Sequence, residues 1–302
     1  MNAPERQTST RIRQLLEQSG LRPRHDLGQN FLIDLNLLDL IVQSAELTPN
    51  DVILEVGTGT GTLTAQVAQQ ARHVVAVEFD PEMARLTAAA VDSRENVTLL
   101  NQDVLKNKNH IADEVLDAVQ KQLLSPGTVL KLVANLPYHV ATPVISNVFA
   151  TDLPWSRMVV TIQWELAERM LAEPSTADYS ALSVWLQSQS RMEIVRRLPP
   201  TVFWPRPKVD SAIVRIERDV DRQQHISDRA GFHEFLRGIF TQRRKHLMGV
   251  VAKLPALSVD RSVLETIHRE LNILADIRAE ALTVEQLVAY HNRLVQFPER
   301  GA

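Results

Sequence analysis

Leu54-Glu55-Val56-Gly57-Thr58-Gly59-Thr60-Gly61-Thr62-Leu63-Thr64 is the stretch on which the fold turns. The β-branched run 52–56 reads as a buried strand that delivers the chain into three glycines at alternate positions, after which helical spacing begins at Thr62. Glycines at a strand-to-helix turn let the backbone pass close to a ligand at the carboxyl end of a sheet. The dinucleotide fingerprint would need a glycine at position 62, where Thr62 stands, so a nucleoside is expected in preference to NAD. A turn that is glycine-rich only for packing is the plainer alternative, and the flanking strand and helix weigh against it.

Outward from this turn the same alternation repeats. Runs 73–78, 97–100, 129–133 and 158–162 read as strands, and 62–70, 81–91, 111–124 and 143–149 as helices. That order predicts an α/β fold, a parallel sheet with helices on both faces. Two helices, 8–19 and 35–45, precede it, joined by a loop over 21–31 with Pro23 and Gly28. A helix over 179–188 and strands over 191–197 and 209–216 follow it. The last two are separated by a loop, 198–207, whose four prolines forbid helix and central strand. Residues 218–227 read as a polar linker. Only helical spacing follows, at 232–252, 262–271 and 283–297, so an α/β domain over 1–217 and a small all-helical domain over 218–302 are expected.

The 302 residues are 44% hydrophobic and 23% charged, which excludes a disordered or fibrous chain. No apolar run reaches 18 residues, and the first 20 carry no apolar signal segment, so a membrane role is not expected. The absence of cysteine excludes disulfides and thiolate chemistry and fits a cytoplasmic protein. The nine histidines show no metal-ligand spacing, so no metal is expected. A net charge of −3 gives no global argument for nucleic acid and leaves room for a local basic stripe.

Three features gather at the predicted carboxyl edge besides the glycines. Glu78 closes the second strand, where an acid accepts from ribose hydroxyls. Asp103 follows the third, placed to accept from an adenine amine. Asn135-Leu136-Pro137-Tyr138 follows the strand 129–134 directly. The Asn135 oxygen and the Leu136 carbonyl can both accept from an exocyclic NH₂, with Tyr138 stacked on the base. Accepting both N–H bonds returns density to an amine nitrogen otherwise delocalised into its ring. The bland readings are a solvated helix-entry acid for Glu78 and a turn former before Pro137 for Asn135.

This set of motifs resembles the ribosomal RNA adenine dimethyltransferases of the small subunit. Leu27-Gly28-Gln29-Asn30-Phe31-Leu32, the glycine turn, Val77-Glu78-Phe79-Asp80, Asn135-Leu136-Pro137-Tyr138, Phe203-Trp204-Pro205-Arg206-Pro207-Lys208-Val209-Asp210-Ser211 and Phe240-Thr241-Gln242-Arg243-Arg244-Lys245 stand in the family's order. The resemblance implies a Rossmann-like class I methyltransferase fold with a mostly parallel seven-stranded sheet, S-adenosylmethionine as methyl donor and small-subunit rRNA in an immature subunit as partner. The product would be two adjacent N6,N6-dimethyladenosines near the rRNA 3′ end, made by a monomer. Carried over by position, Asn30, Leu32, Gly57, Gly59, Glu78, Asp103 and Asn135 would bind the cofactor. Asn135 and Leu136 would hold the target amine, and Tyr138 and Phe203 would sandwich the flipped base. Arg206, Lys208, Arg243, Arg244 and Lys245 would hold RNA. Basic residues usual in the family are absent at Asp26, Trp164 and Ala181. The competing readings are a large-subunit rRNA methyltransferase of the resistance type, a non-catalytic assembly or transcription factor that kept the fold, and an NAD oxidoreductase, which Thr62 opposes.

Overall fold

The computed structural model describes residues 9–24, 28–92, 94–254 and 259–297. The chain runs α1 (Ser9–Gln18), β1 (Phe31–Leu32), α2 (Leu35–Ala45), β2 (Asp51–Val56), α3 (Thr62–Val67), β3 (His73–Glu78), α4 (Pro81–Ala90), β4 (Val97–Asn101), β5 (Leu105–Asn107), β6 (His110–Ile111), α5 (Asp113–Leu123), β7 (Val129–Asn135), α6 (Tyr138–Ala150) and β8 (Trp155–Gln163). It continues through α7 (Trp164–Met170), α8 (Ala181–Gln187), β9 (Ser190–Leu198), β10 (Phe203–Trp204) and β11 (Ser211–Arg218). Then come α9 (Val220–Gln224), α10 (Arg229–Phe240), α11 (Leu247–Val251), α12 (Arg261–Glu270) and α13 (Val284–Val295).

The seven-stranded sheet has the order β4-β3-β2-β7-β8-β11-β9. The pairs from β4 across to β8 are parallel, and β11 is antiparallel to β8. Strand β2 is buried along its whole length, which is why Val52, Ile53, Leu54 and Val56 are apolar without alternation, while Asp51 and Glu55 are acids carried into the interior. Edge strand β9 is instead exposed or half-buried at most positions and carries Arg191, Glu193, Arg196 and Arg197, charges that discourage edge pairing. The chain leaves β2 toward β3 and β4, then returns to β7 on its other side. That reversal opens a crevice at the carboxyl ends of β2 and β7, where open α/β sheets bind ligands.

A buried clip fixes the opposite end of these two strands. The Lys131 ammonium on β7 donates to the Asp51 carboxylate (2.8 Å) and to the carbonyls of Ala45 (3.1 Å) and Glu46 (2.7 Å) that close α2. All three of its donors are used. Losing one partner of such a pair costs about 3–5 kcal/mol, because the other charge stays buried.

The chain divides into two compact units, one of residues up to Ala167 with Met192–Glu217, the other of Glu168–Arg191 with the chain from Arg218 onward. In the second unit α10 packs on α8, α11 and α13. Trp185 stacks on His233 with ring centroids 4.4 Å apart, and the Tyr179 hydroxyl donates to the Leu282 carbonyl (3.0 Å). Three expectations are corrected. The polar stretch 218–227 contains α9, capped by the Asp219 carboxylate, which accepts from Arg222 N–H. The helix expected over 232–252 is two helices. The backbone of Leu247 donates to Ile277 and His246 bridges Arg278, so a second segment takes bonds a continuous helix would have made internally. The helix placed at 143–149 begins at Tyr138, with Pro143 inside it. The bond lost there is offset by burial of Ala141, Val144, Ile145, Val148 and Phe149.

Candidate active site

The crevice encloses about 970 Å³, part of it open to solvent. Gly57, Gly59, Glu78, Asp103, Asn135, Leu136 and Tyr138 all line it, with Asn30 on its N-terminal side. Gly57 (φ +77°) stands so close to Pro137 that a Cβ would lie 2.8 Å from its ring carbons. Gly59 (φ +56°) leaves room for the Phe31 ring, 3.0 Å from where a Cβ would be. The glycines therefore admit neighbouring protein as well as a ligand. The close approach at Gly57 locks the end of β2 against the Asn135–Tyr138 turn.

Glu78 is only 7% exposed. Its Oε2 accepts from Gly59 N–H (2.9 Å) and its Oε1 from Asp80 N–H (3.0 Å). Burial pushes its carboxyl above the usual range; those two bonds work against the shift, and the Asp80 charge adds to it. A carboxylate offers about four lone-pair positions, so acceptor capacity remains for a ribose diol. Asp103, exposed on the far side, commits Oδ1 to Leu105 N–H (2.9 Å). Beside it the Gln102 Nε2 is buried against the crevice with no hydrogen-bond partner. An orphaned donor next to an acid suits the edge of adenine, which presents ring-nitrogen acceptors beside an amine. The residues present thus fit the nucleoside half of S-adenosylmethionine. In the sequence Gln102 is marked only by its place before Asp103.

Asn135 Nδ2 donates to the Asn30 carbonyl (3.0 Å). Leu136 N–H donates to Thr161 O (3.2 Å), which holds the turn to β8. Tyr138 opens α6, and its hydroxyl hydrogen-bonds Ser211 Oγ at 2.7 Å. Burial raises the Tyr138 pKa, with the Ser211 bond opposing, so the ring is a neutral phenol. One strand behind, Glu55 is 1% exposed and its Oε2 lacks a partner. Burial pushes its carboxyl up to about 8; the nearby Thr64 hydroxyl opposes this without reaching hydrogen-bond geometry, and the Glu78 charge adds a smaller upward push.

Two expected site residues are not in the crevice. Leu32 and Phe203 face each other in the β1–β10 pair, are 6% and 1% exposed, and belong to the core beside α2. In a two-residue strand pair, alternate side chains face opposite ways. Phe203 and Leu32 take the core side, while Phe31 and Trp204 stack on the other (6.5 Å). The Phe203 ring is therefore not presented as a base platform.

Arg206 and Lys208 are exposed on the loop before β11. The basic triplet lies on a turn after α10, not on a helix. Arg243 is bound to Glu280 (2.7 Å) and to the Ala177 carbonyl (2.9 Å), whereas Arg244 and Lys245 are exposed. Where the family usually has lysine, Trp164 lies under the Arg197 guanidinium (4.3 Å), which also pairs with Asp210. Asp26 lies outside the described residues.

Strand order, glycine turn and a crevice at the switch point define the class, a Rossmann-like methyltransferase with a helical C-terminal region. Two solved structures share that fold. One is a dimethyladenosine transferase from Plasmodium falciparum, with a TM-score of 0.70 at 22% identity over 87% of this chain and 96% of that one. The other is the 23S rRNA methyltransferase ErmE, with 0.59 at 23% over 88% and 100%. The family model "Ribosomal RNA adenine dimethylase" matches residues 20–296. A ribosomal RNA small subunit methyltransferase A from Pediococcus pentosaceus is 38% identical over 290 residues, 94% of each chain. One from Bacillus cytotoxicus is 37% identical over 289 residues, 95% of this chain and 97% of that one. The chain belongs to the ribosomal RNA adenine dimethylase family.

Proposed function

We propose that this protein is an rRNA adenine N6,N6-dimethyltransferase that modifies two adjacent adenosines near the 3′ end of small-subunit rRNA during subunit assembly. The observation that carries the reading is the Asn135 turn at the same sheet edge as Glu78 and Gly57, in a chain of this family. Relatives that match nearly the whole chain are named for the small subunit, whereas the large-subunit enzyme shares only the fold. A monomer is taken as the working unit. Among the described residues no helix is long and apolar enough to cross a membrane. A cytoplasmic site of action fits the substrate.

Glu78 takes the ribose hydroxyls of S-adenosylmethionine, Asp103 and Gln102 its adenine edge, and Asn30, Gly57 and Gly59 border the remainder. When bound, the donor supplies an electrophilic sulfonium methyl group. Tyr138 stacks on the flipped target base, and an aromatic platform of this kind recovers about 1–3 kcal/mol of the lost stacking. With Nδ2 committed to Asn30, Asn135 presents Oδ1 to the target amine beside the Leu136 carbonyl. Two accepted N–H bonds in the first transfer, and the one that remains in the second, hold the nitrogen lone pair out of conjugation as it takes the methyl carbon, whose bond to sulfur breaks with the electron pair left on sulfur. The proton then released passes to solvent, so no strong base is required. Arg206 and Lys208 in the first unit contact phosphates, as do Arg244 and Lys245 in the helical unit.

The test incubates labelled S-adenosylmethionine with immature small subunits, large subunits or bare rRNA, then identifies the modified nucleoside. Dimethyladenosine in the small-subunit arm is expected. Asn135→Ala should cut the single-turnover rate at saturating cofactor about 100-fold or more, the scale seen when a preorganised group at a developing charge is removed. A rate within a few fold of wild type would leave Asn135 as a turn former.

A further inference from the structure

An asparagine amide is nearly symmetric in shape and opposite in polarity at its two ends. If the Asn135 amide turned over, its NH₂ would face the target amine, donor against donor. What opposes that turn is a backbone carbonyl, which can only accept. Asn30 O takes Asn135 Nδ2 at 3.0 Å, and among the described residues no donor reaches Oδ1.

The carbonyl of Asn30 is itself held in place by side chains. Gln29 Nε2 donates to Asp80 Oδ2 (2.9 Å), and Gln29 Oε1 accepts from Arg24 N–H (2.8 Å). The backbone closes the same loop through Gln29 N–H to Arg24 O (3.3 Å), and Asn30 Nδ2 turns back to Gly28 O (3.1 Å). Asp80 is 4% exposed and rigid: its Oδ1 caps α4 through Glu82 N–H (3.0 Å), and its own N–H binds Glu78 Oε1 (3.0 Å). A single run of hydrogen bonds therefore leads from the ribose-binding acid through Asp80 and Gln29 to the backbone that holds Asn135. Among the described residues, the Gln29 side chain joins the N-terminal segment to the rest of that run.

We propose that Gln29 is a positioning residue that fixes the polarity of the Asn135 amide through the backbone of residues 28–31. The inference rests on the reading of Asn135 as the acceptor for the target amine. It adds a division of labour: Asp80 and Gln29 act on the transfer step through Asn30, without touching the base.

The test compares wild type with Gln29→Ala, Gln29→Glu and the double variant Gln29→Glu/Asp80→Asn. Gln29→Glu sets two carboxylates face to face. Adding Asp80→Asn reverses donor and acceptor: the new amide NH₂ donates to the new carboxylate, while its oxygen still caps Glu82 N–H. The first readout needs no activity. In the free protein with ¹⁵N-labelled asparagine, solvent exchange of the Asn135 side-chain NH₂ is followed, its resonances assigned by their loss in Asn135→Ala. Exchange about tenfold faster in both single variants and restored in the double variant is expected; equal rates in all four would overturn the proposal. The second readout is the single-turnover rate at saturating cofactor. A fall of about tenfold or more in the single variants is expected, since a misplacement of ~1 Å can cost about 100-fold. The rRNA Kd should not move, and the double variant should recover the rate. A fall that the double variant does not recover would assign Gln29 to folding alone and overturn the positioning role. If wild type methylates no small-subunit rRNA, the functional reading fails, and the exchange measurement still decides the clamp.

Discussion

Replacing Glu78 by glutamine changes one atom, and the structure says what that atom does. Both carboxylate oxygens accept backbone N–H bonds, one from Gly59 and one from Asp80. An amide can accept at one oxygen only, so in Glu78→Gln an NH₂ must face one of those two donors. A buried donor left without an acceptor costs about 1–3 kcal/mol, which the ligand-free protein should lose in stability. The ligand loses separately. Two hydroxyl bonds to a charged acceptor become at most one to a neutral oxygen, and a hydrogen bond to a charged group is worth roughly 1.5–3 kcal/mol. Affinity for S-adenosylhomocysteine should thus fall about 10- to 150-fold, at about 1.4 kcal/mol per tenfold. Calorimetric titration measures the second effect and urea unfolding of the free protein the first. The pH dependence separates charge from shape. Because burial holds the Glu78 carboxyl above its usual range, wild-type affinity should decline as pH is lowered through that raised value, when one oxygen becomes a donor. Glu78→Gln should show no such decline. Wild-type affinity in the variant, or the same acid decline in both proteins, would refute the assignment of Glu78 to the ribose.

Two further outcomes follow from the same structure. Arg244→Ala/Lys245→Ala should reduce the salt dependence of rRNA binding by about two phosphate contacts' worth of slope, while Arg243→Ala should lower the thermal midpoint with little change in slope, since Arg243 is held by Glu280; filter binding across salt concentrations tests this, and equal slopes for all three proteins would refute it. Glu55 stays protonated up to about pH 8 in the folded state, so above an unfolded value near 4.5 folding must hold a proton that the unfolded chain releases, and stability falls as pH rises through that window. At pH 7.5 that is three pH units at about 1.4 kcal/mol each, or up to about 4 kcal/mol, which Glu55→Gln should recover, with the advantage vanishing at pH 4.5; an advantage independent of pH in urea unfolding would count against it.

Much of the fold could be read locally. The buried strands around the glycine turn, α2, and the cap of α4 by Asp80 with Pro81 behind it depend on periodicity and near neighbours, and the structure places them where those patterns do. The same holds for the site residues at the ends of β2, β3 and β7, because a parallel sheet brings its carboxyl ends to one edge whatever the helices between them contribute. Where the sequence pattern misled, the deciding partner was distant in the chain. Phe203 stands in a motif that implies a base platform, yet pairing with Leu32 turns its ring into the core. Arg243 looks like its two neighbours until Glu280 takes it. The helix over 232–252 breaks because Ile277 and Arg278 capture backbone groups that local spacing assigns to the helix. The orphaned donor of Gln102 and the hold of Asn30 on Asn135, across 105 positions, likewise exist only after the chain has closed. Sequence determines which residues are apolar, capped or bendable, since those are properties of a few adjacent side chains. Which polar atom meets which is a property of distances that only the packed sheet and its crossovers create.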